Sequence, residues 1–299
     1  MPEVEALQPV VVGTGLIGTS IGLALRRRGI VAYLSDVDAP HASRAASMGA
    51  GLLTAPPAHP DIVVIATPPD QLAAAIGDAL RRWPAATVTD VGSIKGAPLR
   101  QAAAAGCDLT RYVGSHPIAG SERSGPAAAA AGLFDGRPWA VTPHDGSAPA
   151  AVEAVERLVA ACGAVVVRVS PDEHDTAVAR TSHLPYLLAV LAASAFGAAS
   201  IERSLVGPGL RDTTRVAASD PDLWSQILLH NAPPVMAALD EVRSTIDELL
   251  NALAPAAREG TPGWRTGDNA DAARALREIL SRGVEGAAAI RDATPGLRS

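Results

Sequence analysis

Val10-Val11-Val12-Gly13-Thr14-Gly15-Leu16-Ile17-Gly18, followed by Val31-Ala32-Tyr33-Leu34-Ser35-Asp36, decides the fold of this chain. The three valines read as a strand that runs into a glycine-rich turn and then a helix beginning near Leu16. Gly13 allows the tight turn, Gly15 lets backbone approach a pyrophosphate with no Cβ in the way, and Gly18 lets the helix pack close to the strand. A pyrophosphate then rests on the positive end of the helix. Gly13, Gly15, Leu16, Ile17 and Gly18 are therefore candidate cofactor contacts. Asp36 follows where a carboxylate accepts both hydrogen bonds of an adenosine ribose. The bland alternative is a structural glycine turn, which leaves the placement of strand, helix and acid unexplained. A carboxylate at Asp36 repels a 2′-phosphate, and Val37, Asp38, Ala39 and Pro40 offer no base before Arg44, so NAD is favoured over NADP.

A chain of 299 residues suits two domains, and its 48% hydrophobic content is ample for a core. A net charge of −6 gives no sign of a nucleic-acid surface. Lys95 is the sole lysine among 25 basic residues, so arginines carry little individual meaning and Lys95 is the exception. Cys107 and Cys162 have no CxxC partner and read as buried thiols in a reducing cytosol. Met1–Gln8 holds two glutamates and no base, unlike a secretory leader. The apolar run Leu184–Ile201 is broken by Pro185, Tyr186, Ser194, Gly197 and Ser200, which suits a buried helix rather than a membrane span. The expectation is a soluble cytoplasmic protein without membrane or nucleic-acid partners. No His or Cys grouping has metal-ligand spacing.

Strands are predicted at Val10–Val12, Val31–Leu34, Ile62–Ala66, Thr87–Thr89, Tyr112–Ser115, Trp139–Thr142 and Val165–Val169. Several are apolar throughout, as strands covered on both faces are. Helices fit between most of them, at Ile17–Arg28, Ala42–Met48, Gln71–Arg82, Pro98–Ala105 and Ala150–Ala161. That pattern gives an α/β fold, a doubly wound Rossmann sheet over residues 1–170. After Ser170 the strand signals stop, and residues 171–299 read as an all-α domain for substrate binding and dimerisation. Ser170-Pro171-Asp172-Glu173 is its opening helix-start signal. Its further helices are expected at Leu184–Ile201, Ser219–Asn231, Pro234–Ala254 and Asp271–Gly283. Val235, Leu239, Val242, Ile246, Leu249, Leu250 and Leu253 form a helical stripe, read as core or as a dimer face. Arg258–Asp268 reads as a loop and Asp292–Ser299 as a loose tail.

Ligands of such sheets bind beyond the carboxyl ends of strands. Thr67 and Pro68 end one strand where the chain can pass over a nicotinamide; Ser93 and Lys95 follow the next; His116, Ser121 and Glu122 follow the one after, so Thr67, Pro68, Ser93 and Lys95 are candidate cofactor contacts and Ser121 and Glu122 candidate substrate contacts. His116 is the candidate base, since a neutral imidazole accepts an alcohol proton. Ser93 either holds that imidazole or donates to the substrate; its structural alternative is a helix N-cap. His183 is taken as cleft-lining, whereas His174 is balanced between cleft and scaffold. Arg211 and Arg215, after the flexible Gly207-Pro208-Gly209, suit bidentate binding of a carboxylate, against the alternative of solvated helix charge. His41, His59, His144 and His230 lie in surface-like contexts and are assigned nothing.

Taken in order, Asp90–Gly96, Ser115–Glu122, Gly132–Trp139, Ser182-His183-Leu184-Pro185 and Leu210–Trp224 resemble the prephenate dehydrogenase family, which includes arogenate dehydrogenases. The resemblance runs from Val10 to Leu253. It implies a cyclohexadiene substrate that gives hydride from C4 to NAD, gives its hydroxyl proton to a neutral His, and loses C1 carboxylate as CO2 while the ring aromatises. It implies His116 as catalytic base with Ser93 as partner, Arg215 gripping a substrate carboxylate with Arg211 the weaker candidate, and a homodimer through the helical domain. Family members commonly carry a second His where this chain has Tyr186, near the substrate carboxylate. Tyr donates a hydrogen bond but is not cationic at neutral pH. Prephenate is the first substrate reading, with arogenate and 4-amino-4-deoxyprephenate as alternatives. Remoter readings are a β-hydroxyacid dehydrogenase, which usually relies on a helical-domain Lys that this chain lacks, and a non-catalytic NAD sensor, which would need no His116.

Overall fold

Each of the seven apolar runs becomes a strand. The computed structural model describes residues 7–120, 123–197, 203–257 and 268–293. Strands β1 (Pro9–Val12), β2 (Tyr33–Ser35), β3 (Ile62–Ile65) and β4 (Thr87–Asp90) form a parallel sheet in the order β2-β1-β3-β4. A parallel bridge from Val88 to Tyr112 links β4 to the chain entering β5 (Gly114–Pro117). β5 then pairs antiparallel with β6 (Pro138–Thr142), which pairs parallel with β7 (Val165–Arg168). The doubly wound sheet is thus parallel only in its first part. A parallel return needs a crossover, usually helical, whereas the described residues between β5 and β6 form only a short 3-10 turn, Pro126–Ala128.

Alternation along the strands builds two cores. Val11, Ile62 and Val64 face one, with Ile21, Leu25, Trp139, Val155 and Leu158. Val10, Val63 and Ile65 face the other, with Leu72, Ile76, Ile94 and Tyr112. Helices α1 (Leu16–Arg26) and α5 (Pro149–Ala161) supply the first core, and α3 (Leu72–Arg82) the second. Helix α2 (Ala39–Ser47) follows β2, and α4 (Gly96–Ala104) follows β4. β7 departs from the expectation of two-sided cover. It is an edge strand, with Val165 and Val167 55% and 41% exposed. Cys162 is buried, which pushes its thiol up to about 12, whereas Cys107 is only half-buried.

Ser170 forms a full capping box: its hydroxyl accepts the Glu173 amide at 3.2 Å, and the Glu173 carboxylate accepts the Ser170 amide at 2.8 Å. It starts α6 (Pro171–Val178), which a π-helical turn (Ala179–His183) joins to α7 (Leu184–Ser194). Then come α8 (Pro208–Thr214), a 3-10 turn (Arg215–Ala218), α9 (Pro221–His230), α10 (Ala232–Leu253) and α11 (Asp268–Asp292). α7 is shorter than expected and is not buried throughout. Tyr186 and Ala189 are its buried residues, and Leu191 is exposed. Among the described residues no helix is long and apolar enough to cross a membrane, and no cluster of three or more His, Cys, Asp or Glu is placed to hold a metal. The chain groups into two compact units, Met1–Val235 and Met236–Ser299. The expected boundary at 170/171 falls inside the first, at the Ser170 capping box. Of the α10 stripe, Val235 is buried whereas Ile246, Leu250 and Leu253 are exposed, so the stripe is not core along its length. The expected loop and tail lie almost wholly outside the described residues.

Gly18 and Gly15 separate packing from open space. A Cβ on Gly18 would lie 1.9 Å from the Gly13 carbonyl oxygen, whereas one on Gly15 meets nothing within 4 Å. Gly18→Ala is expected to lower the unfolding free energy by about 1–3 kcal/mol, and Gly15→Ala to change it by less than about 0.5 kcal/mol. Urea denaturation of both variants checks the difference.

Candidate active site

The turn after β1 is wedged against the end of β3. Gly13 has φ of 95°, and a Cβ there would sit 2.4 Å from the Ala66 carbonyl oxygen. β1 and β3 are neighbours, and the chain leaves β1 for β2 on one side and β3 for β4 on the other, which opens a crevice at the carboxyl edge between them. The first intrahelical bond of α1 runs from the Thr19 amide to Gly15, which leaves the amides of Leu16, Ile17 and Gly18 outside the ladder. Asp36 stands beside them. Its Oδ2 accepts the Thr14 amide and the Thr14 hydroxyl, both at 2.6 Å, and its Oδ1 accepts the Asp38 amide at 2.9 Å. Partial burial pushes the Asp36 pKa up, but these hydrogen bonds outweigh it and hold the carboxyl below its ordinary range. Val37 is fully exposed next to it. At the end of β3 the Thr67 hydroxyl is buried without a hydrogen-bond partner, and Pro68 is exposed. The open face of Gly15, the ionised acceptor Asp36 and the unpartnered Thr67 hydroxyl fit a dinucleotide.

Lys95 does not face this cradle. It is 1% exposed, and its ammonium donates to Asp90 Oδ2 and, at 2.6 Å, to the Ser115 carbonyl. Asp90 also accepts the Tyr112 hydroxyl at 2.7 Å and the Gly92 amide at 2.9 Å. Burial lowers the Lys95 pKa and the Asp90 charge raises it, the net direction being down. The expectation that Lys95 touches cofactor is corrected accordingly: its long side chain is the clamp between the loop after β4 and β5. Its backbone amide and that of Gly96 both donate at 2.8 Å to the Asp175 carboxylate. Asp175 therefore caps α4, the place that Ser93 was a candidate for.

His116 lies on β5 and is half-buried. Its Nδ1 is 2.9 Å from Nε2 of His174, whose Nδ1 is 2.8 Å from Asp175 Oδ1. Among the described residues no hydrogen bond joins Ser93 to His116, so the partner of the imidazole is His174 rather than Ser93. Burial pushes the Asp175 pKa up, but the His174 bond and the Gly96 and Lys95 amides bring it below the ordinary range. An ionised Asp175 only accepts, so His174 carries its proton on Nδ1. In the neutral relay His174 Nε2 then accepts from His116 Nδ1–H, which leaves His116 Nε2 as the free base nitrogen. Burial, then the charges of His174, Lys95 and His183, hold the His116 pKa well below its ordinary value.

His183 is 1% exposed. The Asn231 amide nitrogen donates at 2.8 Å to the Asp175 carbonyl, which fixes the amide orientation, and reaches His183 Nδ1 at 3.2 Å. His183 Nδ1 is therefore an acceptor and its proton sits on Nε2. Burial is the main cause that lowers the His183 pKa to about 4. Tyr186 stacks on Trp224 with centroids 3.7 Å apart and planes 6° apart, and His183 meets Trp224 edge-on at 6.0 Å. Burial and then the Asp220 charge push the Tyr186 phenol up. Arg211 on α8 and Arg215 on the following turn are exposed, on segments that pack against α7. Ser121 and Glu122 lie outside the described residues.

Sequence reasoning undervalued His174 and missed Asp175, Trp224 and Asn231. Their roles rest on pairings such as His116 with His174, 58 residues apart, that no local spacing encodes. The adjacent His-Asp pair at the start of α6 was the available signal.

The chain belongs to the prephenate dehydrogenase family. Residues 21–168 match the family's nucleotide-binding domain and residues 170–262 its dimerization domain. It is 38% identical over 281 residues to NovF of Streptomyces niveus, a probable prephenate dehydrogenase, covering 93% of this chain and 75% of that one. It is 30% identical to the cyclohexadienyl dehydrogenase of Zymomonas mobilis, covering 82% and 87% of the two chains. It is similar in structure to the prephenate dehydrogenase of Aquifex aeolicus in complex with hydroxyphenyl propionate and NAD+, with a TM-score of 0.79, 27% identity and coverage of 95% and 99%.

His183 links the site to stability. Folded, it protonates near 4, against 6.5 as the ordinary value. Between those values the unfolded chain binds more protons, so stability falls as pH is lowered through the window. His116, lowered by burial, acts in the same direction. Urea midpoints across the same interval are expected to decline, and His183→Gln is expected to flatten the decline. An unchanged slope would remove His183 from the linkage.

Proposed function

We propose that this member of the prephenate dehydrogenase family is an NAD-dependent oxidoreductase that converts prephenate to 4-hydroxyphenylpyruvate by oxidative decarboxylation. The observation that carries the reading is His116, held neutral at the carboxyl edge of the sheet with Nδ1 engaged by His174 and Nε2 left as base. His116 takes the C4 hydroxyl proton of the substrate. NAD, when bound, supplies the hydride acceptor for C4. The C1 carboxylate leaves as CO2, and its electron pair completes the aromatic ring. The glycine turn and the α1 amides seat the pyrophosphate, Asp36 the adenosine ribose, and Thr67 and Pro68 border the nicotinamide half. Ser93 donates to the substrate, as do Ser121 and neutral His183, and Glu122 accepts from it. Arg215, with Arg211 beside it, grips a substrate carboxylate.

The enzyme works as a cytoplasmic homodimer through the helical segment after residue 170. The dimerization-domain match and the exposed Leu250, Leu280, Val284 and Ile290 support the pairing, and two free cysteines suit a reducing compartment. The β-hydroxyacid dehydrogenase reading finds no lysine to use, because Lys95 is buried against Asp90. A sensor without turnover has no use for a base relay. Tyr186 favours a second reading within the family, in which arogenate or 4-amino-4-deoxyprephenate is the better substrate, since the phenol brings no cation to the carboxylate region.

Steady-state assays of all three substrates with NAD test this, with the highest kcat/KM expected for prephenate. A higher value for either alternative moves the reading to that substrate, and no NADH from any of them overturns it. His116→Ala is expected to lower kcat by about 10²–10⁴ and to leave NAD binding nearly intact. NADP is expected to be the poorer cofactor in kcat/KM, and Asp36→Ala to narrow the gap; equal use of NADP by the parent enzyme would overturn the role of Asp36.

A further inference from the structure

We infer that His174 and Asp175 form a positioning relay that sets the tautomer of His116 and stabilises the imidazolium it becomes; the inference rests on His116 as the base. The geometry is a line of two hydrogen bonds, Asp175 Oδ1 to His174 Nδ1 at 2.8 Å and His174 Nε2 to His116 Nδ1 at 2.9 Å. His174 and Asp175 are 2% and 6% exposed, so the line runs through a medium that strengthens each bond and leaves each ring one orientation. When the substrate proton reaches His116 Nε2, Nδ1–H stays donated to His174 and Nδ1–H of His174 stays donated to Asp175. No bond other than the substrate O–H breaks in this step, and the new charge lies two hydrogen bonds from a carboxylate.

The surroundings make that carboxylate necessary. The titratable groups facing His116 are His174 from α6, Lys95 from the loop after β4 and His183 from the π-helical turn; the two imidazoles are neutral in the relay, and the Lys95 ammonium opposes a cation on His116. The Asp90 charge is already committed to Lys95. Asp175 is the anion joined to the ring by hydrogen bonds through His174. A scaffold role would not require His174. An apolar side chain on α6 would fill the same space with no second imidazole to satisfy, and Asp175 would still cap α4.

The test compares His174→Phe, His174→Gln, His116→Ala and the His116→Ala/His174→Phe double variant in the full-length enzyme with prephenate and NAD. His174→Phe removes the acceptor and is expected to lower kcat about 10–100-fold, with the prephenate KM and NAD dissociation constant within about twofold of the parent. His174→Gln keeps an acceptor for His116 but severs Asp175, so its kcat is expected to fall between those of parent and Phe variant. The double variant is expected to be no slower than His116→Ala, because the relay acts only through that ring. Parental kcat in His174→Phe, an effect confined to KM, or multiplied losses in the double variant would each overturn the relay. If the Phe variant does not fold, parental kcat in His174→Gln overturns it equally. A slow His116→Ala beside a fast His174→Phe refutes the relay alone, whereas a fast His116→Ala refutes the base assignment itself.

Discussion

The Asp175 carboxylate is the constraint on which the site depends. It accepts the backbone amides of Lys95 and Gly96 and the Nδ1 proton of His174, while its own carbonyl accepts the Asn231 amide. One residue thereby starts α4, orients His174 and, through Asn231, sets the proton of His183. Three hydrogen-bond donors on one buried carboxylate offset its desolvation, and its lowered pKa follows from that balance. The helical segment that begins at Ser170 is thus fixed to the carboxyl edge of the sheet by polar chemistry at its first turn.

Much of the fold was written in local pattern. Glycine spacing, strand runs and the Ser170 box act over a few residues, and each produced its element. The antiparallel β5–β6 pairing was not readable, because strand direction follows from what the connection packs against and an apolar run looks alike in either direction. Lys95 was misread for a related reason: composition marked it as exceptional, but a sole lysine says nothing about where its ammonium goes. Asp90, five residues before it, and the Ser115 carbonyl took that ammonium into the core. His116 stood out in the sequence because it falls at a strand end. His174 was not, since a helix-borne His looks the same whether its partner is water or a second imidazole.

The buried charges divide labour. The Lys95–Asp90 pair sits with both side chains at 1% exposure or less, and such pairs gain little net stability over apolar packing because desolvation opposes their attraction. Its effect is positional. The ammonium also holds the Ser115 carbonyl, so the residue before His116 is tied to the loop after β4. Ser115 completes the tie through its hydroxyl, which donates to the Asp90 carbonyl at 2.8 Å. The residue before His116 is thus held by a buried ion pair, and the His116 ring by the hydrogen-bonded pair of Asp175 and His174.

The same accounting of charge bears on substrate recognition. Folded His183 stays neutral until pH approaches 4, and Tyr186 is a phenol whose pKa burial and Asp220 raise. The stack on Trp224 covers one face of the Tyr186 ring and its parallel planes restrict its rotation. A histidine in that place would be a smaller ring able to take a proton; the tyrosine is larger and neutral. Neither His183 nor Tyr186 then offers positive charge to an anion, and on the proposed reading the guanidinium groups of Arg211 and Arg215 would supply it. On that reading, recognition of a carboxylate would rest on long side chains on exposed segments packed against α7 rather than on a ring fixed in an aromatic stack. Long side chains accommodate a changed substituent at the far end of the substrate more readily than a packed ring does. On the proposed reading the departure at Tyr186 bears on which cyclohexadiene is preferred, whereas the hydrogen-bonded line from Asp175 through His174 to His116 does not include Tyr186.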